Sequence, residues 1–534
     1  MTTREDHAAP VTGSAFRPGW LTDAVLDDLR ARVCSENPDE ATPDVVALAP
    51  YDLLPTAPVP SSSVLDVTSA VSRGRVAQRS WAELPLAKRA QIVLAFHDLL
   101  VARQDQVLDL IQWETGKSRF HAWQEIAQVA TIARHYARRA RRYLADNRVR
   151  GMVPLLTKVT EVRVPKGVVG IISPWNYPLY LGVGDVLPAL LAGNAVVSKA
   201  DPQTSLTMLW THALLAEAGL PADVWQIVVG EGVPVGTALV GEADFVCFTG
   251  STATGRTVAE QAGRRLVGAS LELGGKNPLI VRADADVDKA VAGAVAAAYA
   301  NTGQMCISIE RIYVHESVYE SFRDGFVAAT AEQRIGQALD FSVELGPLIS
   351  QRQLDAVTAH VEDAVAHGAT VLTGGKVRPD LGPLCFEPTV LEGVTPEMRV
   401  YAEETFGPVV ALYTFRTDEE AIALANEGCY GLSASIWSRD TTAAARMAPQ
   451  IRAGSVNVND GAAAAAGSIE AGMGGMGESG LGRRHGAEGI RKFTESQTVA
   501  IQRVIPLGAA PGKAESFVES TNKQLTLMRK IGVR

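Results

Sequence analysis

Four short apolar runs, each followed by a helical stretch, constrain this 534-residue chain more than any other feature of its sequence. Runs of four or five residues in this setting are typical of strands buried on both faces, and the stretches between them are long enough for crossover helices. This alternation predicts successive βαβ units, and therefore an α/β protein with a doubly wound parallel sheet that binds ligands at the carboxyl ends of its strands. The runs are residues 168–172, 195–198, 225–229 and 244–248, and the helical stretches are roughly 180–192, 204–218, 233–240 and 251–263.

The same alternation resumes after residue 273 and predicts a second α/β domain. An alanine-rich helical segment, DKAVAGAVAAAYA, leads to the segment NTGQMC, and further strands and helices continue to about residue 475. Long amphipathic helical patterns occupy residues 83–145. Residues 1–60 show weak periodicity apart from a short predicted helix around WLTDAVLDDLRARV, and we expect them to form an N-terminal extension. A chain of this length, with 47% hydrophobic residues, is long enough for more than one core.

One apolar stretch, residues 167–198, carries a single charged residue, Asp185, and so has the look of a transmembrane segment. Residues that break helices interrupt it, and they favour a strand, a turn, a helix and a second strand buried in a soluble α/β core. We therefore predict no membrane association. The interrupting residues are Pro174, Pro178, Pro188, Gly193 and Asn194.

Five arginines lie within nine residues on one predicted helix, which raises the alternative of a nucleic-acid-binding surface. No aromatic platform or known binding motif accompanies them, and the chain has a formal net charge of −9. A helix face exposed to solvent or to another subunit is the better interpretation, so we predict no nucleic-acid partner. The five residues are Arg134, Arg138, Arg139, Arg141 and Arg142.

The cysteines and the N-terminal residues indicate the compartment. Five scattered cysteines are too few for a disulfide framework, and the first twenty residues contain no apolar core of a signal peptide. We therefore expect a cytoplasmic protein.

The segment FTGSTATG, residues 248–255, joins a predicted strand to a predicted helix. Gly250 and Gly255 permit a ligand to approach the backbone closely, and Ser251 lies where the helix N-terminus offers free N–H groups to a phosphate. With Arg256 and Thr257 the segment approximates a P-loop, but arginine stands where that motif needs the lysine that contacts the β- and γ-phosphates. From these residues alone, a glycine-rich turn without any ligand is an equal alternative.

Three other residues suggest covalent chemistry. Cys306 follows Gly303 in a predicted loop where a thiol can face a pocket, although a lone cysteine is more often an inert buried side chain. Glu272 lies in an apolar strand, and a buried carboxylate is either paired or held with a raised pKa for proton transfer. Asn176, in the turn SPWNYP, is placed to donate a hydrogen bond to a developing oxyanion, although asparagine is also common in turns for backbone reasons.

In their order and spacing these segments resemble the NAD(P)-dependent aldehyde dehydrogenase superfamily, and the resemblance extends from about residue 65 to 505. Its first half comprises ETGK from Glu114, PWNYP from Pro174, VSK ending at Lys199, FTGSTATG from Phe248 and LELGGK from Leu271. Its second half comprises GQMC ending at Cys306, EETFGP from Glu403, Asn426 with YGL from Tyr430, GSVNVN from Gly454 and GESGLG from Gly477. Each segment alone is modest evidence, whereas the ordered set is specific.

The resemblance implies a subunit with three parts: a doubly wound dinucleotide-binding domain, an α/β catalytic domain and a small β bridging element for oligomer formation. The expected assembly is a homodimer or a homotetramer. The predicted boundaries are 61–145 and 165–273 for the dinucleotide-binding domain, 274–495 for the catalytic domain, 146–164 and 496–507 for the bridging element, and 508–534 for a C-terminal tail.

The resemblance also implies roles for individual residues. Cys306 corresponds to the nucleophile and Glu272 to the general base, while Asn176 and the backbone N–H of Cys306 correspond to the oxyanion hole. Asn176 and Lys199 belong to both the catalytic and the cofactor-binding sets. The expected substrate is a small-molecule aldehyde and the expected cofactor is NADP or NAD, with no metal. The other expected dinucleotide-binding residues are Trp175, Ala200, Asp201, Pro202, Gly230, Gly250, Ser251, Leu273, Glu404 and Phe406.

A departure from the family pattern indicates which dinucleotide is preferred. Three residues after the lysine, most relatives carry a glutamate that holds the adenosine ribose of NAD, whereas this chain reads Lys199, Ala200, Asp201, Pro202. Proline at this place removes a carboxylate that would repel a 2′-phosphate, and Lys199 remains to attract one. We therefore expect a preference for NADP, with Asp201 as an alternative partner for the ribose of NAD.

The substrate is less well indicated. The chain is similar to bacterial enzymes assigned as succinate-semialdehyde dehydrogenases, so we expect oxidation of succinate semialdehyde to succinate. That group uses two arginines for the substrate carboxylate, at positions that are Gly184 and Ala300 here, which leaves Arg311 and Ser308 as candidates to bind it. The NYPLY and GMGG segments instead resemble enzymes for medium-chain or fatty aldehydes, so a medium-chain, fatty or aromatic aldehyde is the alternative.

Two alternatives from other function classes stay open on the residues alone. A P-loop-like nucleotide hydrolase would explain residues 250–257 but neither Cys306 nor Glu272, and the required lysine is missing. A catalytically silent relative would be expected to lose the thiol or the glutamate, and this chain keeps both. No histidine forms an H-E-x-x-H metal motif, and no G-x-S-x-G nucleophile turn occurs.

Overall fold

The computed structural model describes residues 14–36, 43–151, 157–462, 467–502 and 508–532; parts of the predicted N-terminal extension, bridging element and tail lie outside these residues. One compact unit comprises the described residues up to Tyr143 together with Pro165–Thr494. The boundary predicted between residues 273 and 274 lies inside this unit and stays a prediction.

The strands of the described residues follow the predicted alternation. The four apolar runs form β3 to β6, which confirms this part of the prediction. In chain order the strands are β1 (Asn147–Arg150), β2 (Thr157–Pro165), β3 (Val168–Ile172), β4 (Ala195–Ala200), β5 (Trp225–Val229), β6 (Phe245–Thr249), β7 (Gly268–Glu272), β8 (Asn277–Val281), β9 (Ile309–His315), β10 (Thr370–Thr373), β11 (Thr389–Glu392), β12 (Val409–Phe415), β13 (Ser433–Trp437), β14 (Ser455–Val458), β15 (Gly480–Leu481) and β16 (Thr494–Gln502).

Helices connect these strands, and side chains at their first residues cap several of them. Ser63 and Asp66 form a capping box at α2, and Asp286 caps α11. In chain order the helices are α1 (Asp23–Arg30), α2 (Val64–Glu83), α3 (Leu86–Ala102), α4 (Gln104–Thr115), α5 (Arg119–Tyr143), α6 (Pro178–Val183), α7 (Val186–Leu191), α8 (Ser205–Glu217), α9 (Thr237–Glu242), α10 (Thr252–Arg264), α11 (Val287–Tyr299), α12 (Tyr319–Ala331), α13 (Gln351–Ala366), α14 (Arg399–Ala402), α15 (Asp418–Ala425), α16 (Thr441–Met447), α17 (Gly486–Arg491) and α18 (Ala514–Lys530).

Two largely parallel sheets build the first unit. The first has the strand order β15-β7-β6-β3-β4-β5, and only its β15–β7 pair is antiparallel. The chain leaves β3 for β4 on one side and later returns to form β6 on the other, so the topological switch point lies between β3 and β6. The second sheet has the order β10-β11-β12-β9-β8-β13-β14 and is parallel except at β10–β11. Both sheets are buried between helices, as the continuous apolar runs predict.

Residues before α2 pack on the first sheet. Val33 bridges to Ile227 of β5, and the N–H of Ser62 donates to the carbonyl of Val229 at 2.7 Å. Ala49 and Tyr51 are buried. The described part of the predicted N-terminal extension therefore covers an edge of the sheet, and its predicted helix is α1.

The second compact unit comprises Leu144–Val164 and the described residues from Glu495 onwards. It contains the three-stranded sheet β1-β2-β16, in which β1 and β2 are antiparallel, and helix α18. Its assignment as a bridging element for oligomer formation stays a prediction. Across all described residues of the chain, no helix is both long and apolar enough to span a membrane.

Candidate active site

A crevice of about 650 Å³ opens at the carboxyl ends of the first sheet's strands, beside the switch point between β3 and β6. A sheet of this topology binds its ligands at that place. Ala200 and Gly230 do not line the crevice: Ala200 is buried within β4, and Gly230 precedes the lining residue Glu231. The predicted residues that do line it are Trp175, Asn176, Lys199, Asp201, Pro202, Gly250, Ser251, Glu272, Leu273, Cys306, Glu404 and Phe406.

The turn between β6 and α10 fits the phosphates of a dinucleotide. The Ser251 hydroxyl caps α10 by accepting a hydrogen bond from the Thr254 N–H at 3.3 Å. A Cβ on Gly255 would lie 2.4 Å from Leu273 Cδ2, so glycine lets the helix approach β7 closely. Arg256, at the P-loop lysine position, instead forms an ion pair with Glu478 at 2.6 Å. The turn therefore offers a helix N-terminus to an anion but lacks the side chain that a P-loop directs at the β- and γ-phosphates.

Lys199 and Asp201 bring opposite charges to the crevice next to β4. Asp201 accepts a hydrogen bond from the Gln203 N–H at 3.0 Å and caps a short helix that begins at Pro202. Burial raises the pKa of Asp201 while Lys199 opposes the shift. Burial likewise lowers the pKa of Lys199, and Asp201 and Glu231 oppose it. These residues present one cation and two acidic groups to this part of the crevice.

Asn176 lies in the turn between β3 and α6, and a buried ion pair positions it. Lys117 Nζ donates to Glu125 Oε1 and to the carbonyl of Asn176, both at 2.6 Å. The other oxygen of Glu125 accepts hydrogen bonds from two N–H groups at the start of α6, at 2.9 and 3.0 Å. The Asn176 side chain donates to the carbonyl of Gln304 at 3.1 Å. Its amide therefore lies beside the loop that carries Cys306.

The loop of Cys306 has an uncommon backbone. Asn301 and Thr302 adopt φ values of 51° and 56°, in the left-handed region that residues other than glycine seldom adopt. Asn277 Nδ2 donates to the carbonyl of Cys306 at 2.8 Å, and a Cβ on Gly275 would lie 2.6 Å from that carbonyl oxygen. Tight contacts with the segment before β8 therefore hold the cysteine in place.

The thiol and the carboxylates of the crevice have shifted acidities. Burial raises the pKa of Cys306 to about 12, and the nearby Glu404 and Glu272 act in the same direction. Burial raises the pKa of Glu272 to about 7 against the opposing effect of Arg484 and Lys492. Glu272 Oε1 has no hydrogen-bond partner among the described residues. The site thus contains a neutral thiol and a carboxyl group that can exchange a proton near neutral pH.

Glu404 and Phe406 close the crevice on the side of the second sheet. Glu404 Oε1 accepts a hydrogen bond from the N–H of Gly275 at 2.8 Å, and burial raises the pKa of Glu404 to about 8. Phe406 has a φ of 52°, and its ring meets that of Trp175 edge to face with centroids 5.6 Å apart. The Phe406 N–H donates to the buried Glu310 at 3.1 Å.

A second cavity, of about 480 Å³, lies on the other side of Cys306; we call it the substrate chamber. Small residues of α11, Gly293, Ala296 and Ala297, line it, and a Cβ on Gly293 would lie 2.0 Å from Trp437. Cys306, Asn176 and Leu181 line both this chamber and the crevice. No lysine or arginine lines the chamber among the described residues. The rest of the lining is Gln124, Ala127, Gln128, Thr131, Tyr177, Tyr180, Gly293, Ala296, Ala297, Ala300, Met305, Ile307, Trp437, Asp460, Gly461, Ala462 and Met473.

The structure overturns the two candidates for binding a substrate carboxylate. Arg311 is buried in β9, and its guanidinium donates to backbone carbonyls that include those of Lys276 and Ala425. Ser308 donates to the carbonyl of Ala298 at 2.8 Å. Neither residue lines the chamber, because the side chains serve the packing around β9 instead.

Sequence reasoning missed most of the residues that line the chamber and two that line the crevice. The chamber residues of α5 are spaced 124, 127, 128 and 131, a helical face that the periodicity contains but that nothing in the sequence assigns to a pocket. Arg352 and Gln353, which also line the crevice, carry no motif.

The chain is similar to known proteins along most of its length. Residues 38–499 match the model of the aldehyde dehydrogenase family. A Mycolicibacterium smegmatis protein named putative succinate-semialdehyde dehydrogenase (NADP+) is 51% identical over 449 residues, which cover 84% of this chain and 87% of that protein. A Mycobacterium tuberculosis H37Rv protein with the corresponding name, numbered 2, is 49% identical over 85% of this chain and 88% of its own length.

Solved structures show the same likeness. The crystal structure of succinate-semialdehyde dehydrogenase from Burkholderia pseudomallei is 33% identical, with a TM-score of 0.84 over 88% of this chain and 100% of that one. A point mutant of betaine aldehyde dehydrogenase from Staphylococcus aureus, in complex with NAD+, is 31% identical, with a TM-score of 0.83 over 89% of this chain and 97% of that one. The chain therefore belongs to the aldehyde dehydrogenase family and is an enzyme of that family.

Proposed function

We propose that this enzyme oxidises an uncharged aldehyde to a carboxylic acid through a covalent intermediate on Cys306, with NADP as its preferred dinucleotide. The observation that carries the proposal is that Cys306 and Asn176 line both the crevice and the substrate chamber. A thiol at this junction can attack a carbonyl group in the chamber and remain beside a cofactor in the crevice.

The residues at the junction support each step at the thiol. Cys306 Sγ, once its proton has passed to water, attacks the aldehyde carbon, the carbonyl π electrons move to oxygen, and a thiohemiacetal forms. The Asn176 amide and the backbone N–H of Cys306 would donate to the oxygen atom that gains negative charge. The crevice residues would hold the dinucleotide so that its nicotinamide supplies the hydride acceptor, and loss of the hydride from the same carbon leaves a thioester on Cys306.

Glu272 completes the reaction as a general base. Its buried carboxyl group, with a pKa raised by burial to about 7, can take a proton from water at neutral pH. The resulting hydroxide adds to the thioester carbon, and the carbon–sulfur bond breaks to release the acid and a thiolate, which takes the proton back from Glu272. A carboxylate whose pKa was not raised would be a weaker base, and this proton transfer would then have a weaker driving force.

Cys306→Ala tests the covalent step. We expect it to abolish reduction of NADP in the presence of an aldehyde, while Cys429→Ala, which removes the exposed cysteine, retains it. Glu272→Gln should keep a first-turnover burst of NADPH and lose the steady-state rate. Normal turnover by Cys306→Ala would refute the assignment of the nucleophile, and a wild-type steady rate for Glu272→Gln would show that another group acts as the base.

The preference for NADP is inferred from the charged residues at the end of β4. Lys199 and Asp201 line the crevice, and Pro202 offers no carboxylate to repel a 2′-phosphate. The two mycobacterial relatives are named for NADP+, which supports the same preference. The ratio of kcat/KM for NADP and NAD tests it, and a strong preference for NAD would refute it.

The charge of the substrate is inferred from the lining of the chamber. Its aromatic, aliphatic and methionine side chains suit a medium-chain, fatty or aromatic aldehyde. Asp460 is the charged residue among the described lining, and a carboxylate in an apolar chamber without a cation would be costly.

Succinate semialdehyde is the second candidate because the mycobacterial relatives carry that name. The helix α5 offers cations for its carboxylate beyond the chamber. Thr131, which lines the chamber, also lines a separate surface cavity together with Arg134 and Arg138. If this candidate is correct, a substrate carboxylate would be held from that side.

A panel of succinate semialdehyde, hexanal and benzaldehyde, tested with NADP, discriminates between the two candidates. The higher kcat/KM should belong to hexanal or benzaldehyde, and the double variant Arg134→Ala, Arg138→Ala should leave it unchanged. A preference for succinate semialdehyde that this double variant abolishes would refute the uncharged substrate.

The assembly and the compartment are proposed together from surface and cysteine chemistry. In the second unit, apolar side chains are exposed on the three-stranded sheet, among them Val149, Val499 and Ile501. A contact between copies would cover such side chains, so a homodimer or homotetramer is expected in analytical ultracentrifugation. All five cysteines are free, which supports a cytoplasmic location.

A further inference from the structure

Three charged side chains form a buried cluster behind the active site; we call it the ion cluster. Asp185 Oδ2 lies 3.0 Å from Arg484 Nη2, and Asp185 Oδ1 lies 2.8 Å from Lys492 Nζ. The side chains of Asp185, Arg484 and Lys492 are 3%, 6% and 10% exposed. Burying three charges is costly, and Asp185 is the one charged residue in an otherwise apolar stretch of 32 residues, 167–198. None of these three residues has a role in the reaction proposed above for Cys306.

The ion cluster contacts the two strands that carry the general base. Arg484 Nη2 donates to the hydroxyl of Thr249 at 2.6 Å, and Thr249 is the register partner of Glu272 across β6 and β7. Lys492 Nζ donates to the hydroxyl of Ser270 at 3.2 Å. Ser270 precedes Glu272 by two residues, and alternate residues of a strand project to the same face. Both cations are therefore bound on the face of the sheet to which Glu272 belongs.

The charges of the ion cluster do not cancel. Asp185 supplies one negative charge and its two partners supply two positive charges, so the ion cluster has an excess of one positive charge. Burial alone would raise the pKa of Asp185, but Arg484 and Lys492 outweigh it and the pKa lies below its usual value. An ionised Glu272 would make the buried group of four neutral overall.

Glu272 needs such a counter-charge because its own hydrogen bonding is incomplete. The residue is 5% exposed, and Oε1 has no hydrogen-bond partner among the described residues. Desolvation opposes ionisation, Arg484 and Lys492 favour it, and Asp185 opposes it. The titratable or charged groups that act on Glu272, or on which it acts, are Arg484, Lys492, Asp185, Arg483, Tyr180, Cys247 and Cys306.

We propose that Arg484 and Lys492, whose positive charge Asp185 partly offsets, are positioning residues that supply the counter-charge by which Glu272 ionises and deacylates the enzyme. The proposal rests on the function proposed for Glu272. The three residues touch neither substrate nor cofactor, and they act through the electrostatic potential at the base.

Two substitutions that change the net charge of the ion cluster in opposite directions test this proposal. Arg484→Met removes a positive charge, so the midpoint of the pH profile of the steady-state rate should move to higher pH by about one unit or more. Asp185→Asn removes a negative charge, so the midpoint should move to lower pH. Arg484→Lys should restore most of the wild-type profile. Loss of a merely structural contact would lower the rates of both variants without moving the two midpoints in opposite directions.

Arg491→Met is the matched control, because Arg491 is the residue before Lys492, its guanidinium donates to the carbonyl of Tyr143, and it is not among the groups that act on Glu272. Its midpoint should stay close to that of the wild type. Lys492→Met repeats the test if Arg484→Met does not fold, and its midpoint should also rise.

The burst of NADPH is recorded for each variant, so that acylation of Cys306 is measured apart from deacylation. Midpoints that do not move, or that move in the same direction for Arg484→Met and Asp185→Asn, would overturn the proposal even if Glu272→Gln still blocks deacylation. Failure of the proposed function itself appears differently, as a normal steady-state rate for Glu272→Gln.

Discussion

Replacement of Lys117 by methionine removes the cation that holds the turn of Asn176. The ion pair of Lys117 and Glu125 is fully buried, with both side chains at 0% exposure, and Lys117 Nζ also donates to the carbonyl of Asn176 at 2.6 Å. Methionine keeps a similar length without the charge. Among the described residues, the Glu125 carboxylate then retains only the N–H groups at the start of α6 as partners.

The cost follows from two states of Glu125 in the variant. A buried carboxylate without its partner costs about 3–5 kcal/mol. Protonation of Glu125 avoids this cost but itself requires free energy. With an unfolded-state pKa of about 4.3, the requirement is about 3.7 kcal/mol at pH 7 and about 1.4 kcal/mol less for each pH unit below 7. Burial already raises the pKa of Glu125 and Lys117 opposes the shift, so removing Lys117 raises this pKa further. A carboxyl group whose pKa is raised by folding destabilises the protein increasingly as the pH rises, so the loss relative to wild type should grow from pH 6 to pH 8.

Urea denaturation followed by tryptophan fluorescence at pH 6, 7 and 8 measures this loss. We expect the difference between wild type and Lys117→Met to increase by about 1.4 kcal/mol per pH unit until it reaches the cost of the unpaired charge. The double variant Lys117→Met, Glu125→Gln contains no buried charge at this place and should show no such slope. A difference below about 1 kcal/mol that is independent of pH, or a double variant less stable than the single one at pH 8, would refute the reasoning.

Three further predictions concern the catalytic loop. Asn176→Ala should lower kcat by about 10²–10³, because one donor to the oxyanion is removed, and a change below tenfold in steady-state kinetics would contradict that role. Gly275→Ala should reduce activity because its Cβ would lie 2.6 Å from the carbonyl oxygen of Cys306, whereas Gly263→Ala, where a Cβ meets nothing within 4 Å, should not. Burial raises the pKa of Cys306 to about 12, so alkylation of this thiol by iodoacetamide should accelerate about tenfold per pH unit between pH 7 and pH 9; a rate independent of pH, followed by mass spectrometry, would show a thiolate already formed.

Much of the first sheet follows from the sequence. The apolar runs that form β3 to β6 are short, continuous and separated by helical stretches, and a strand buried on both faces requires such a run whatever surrounds it. Residues at or just after the ends of these strands, among them Asn176, Lys199 and Ser251, meet in one crevice because parallel strands bring their carboxyl ends to the same edge.

The loop of Cys306 shows where the sequence is less informative. Its position after an alanine-rich helix suggests a thiol facing a pocket, but the left-handed backbone at Asn301 and Thr302 has no signature in those residues. The side chains of these two residues donate to the carbonyls of Asn176 and Gly346, which are distant in the chain. The alanines of α11 likewise predict a helix, and only the tertiary structure shows that Ala296 and Ala297 line the chamber.

By itself, the sequence determined the βαβ architecture, the family and the thiol, amide and carboxylate that meet in the site, because local periodicity and ordered motifs carry this information. Only the tertiary structure decided that Arg311 and Ser308 face away from the chamber and that Asp185 lies between Arg484 and Lys492, about 300 residues away in the chain. The physical reason is that charged side chains interact through space, over a few ångströms in a medium of low dielectric constant. The number of residues between two side chains in the sequence does not predict the distance between them in the fold.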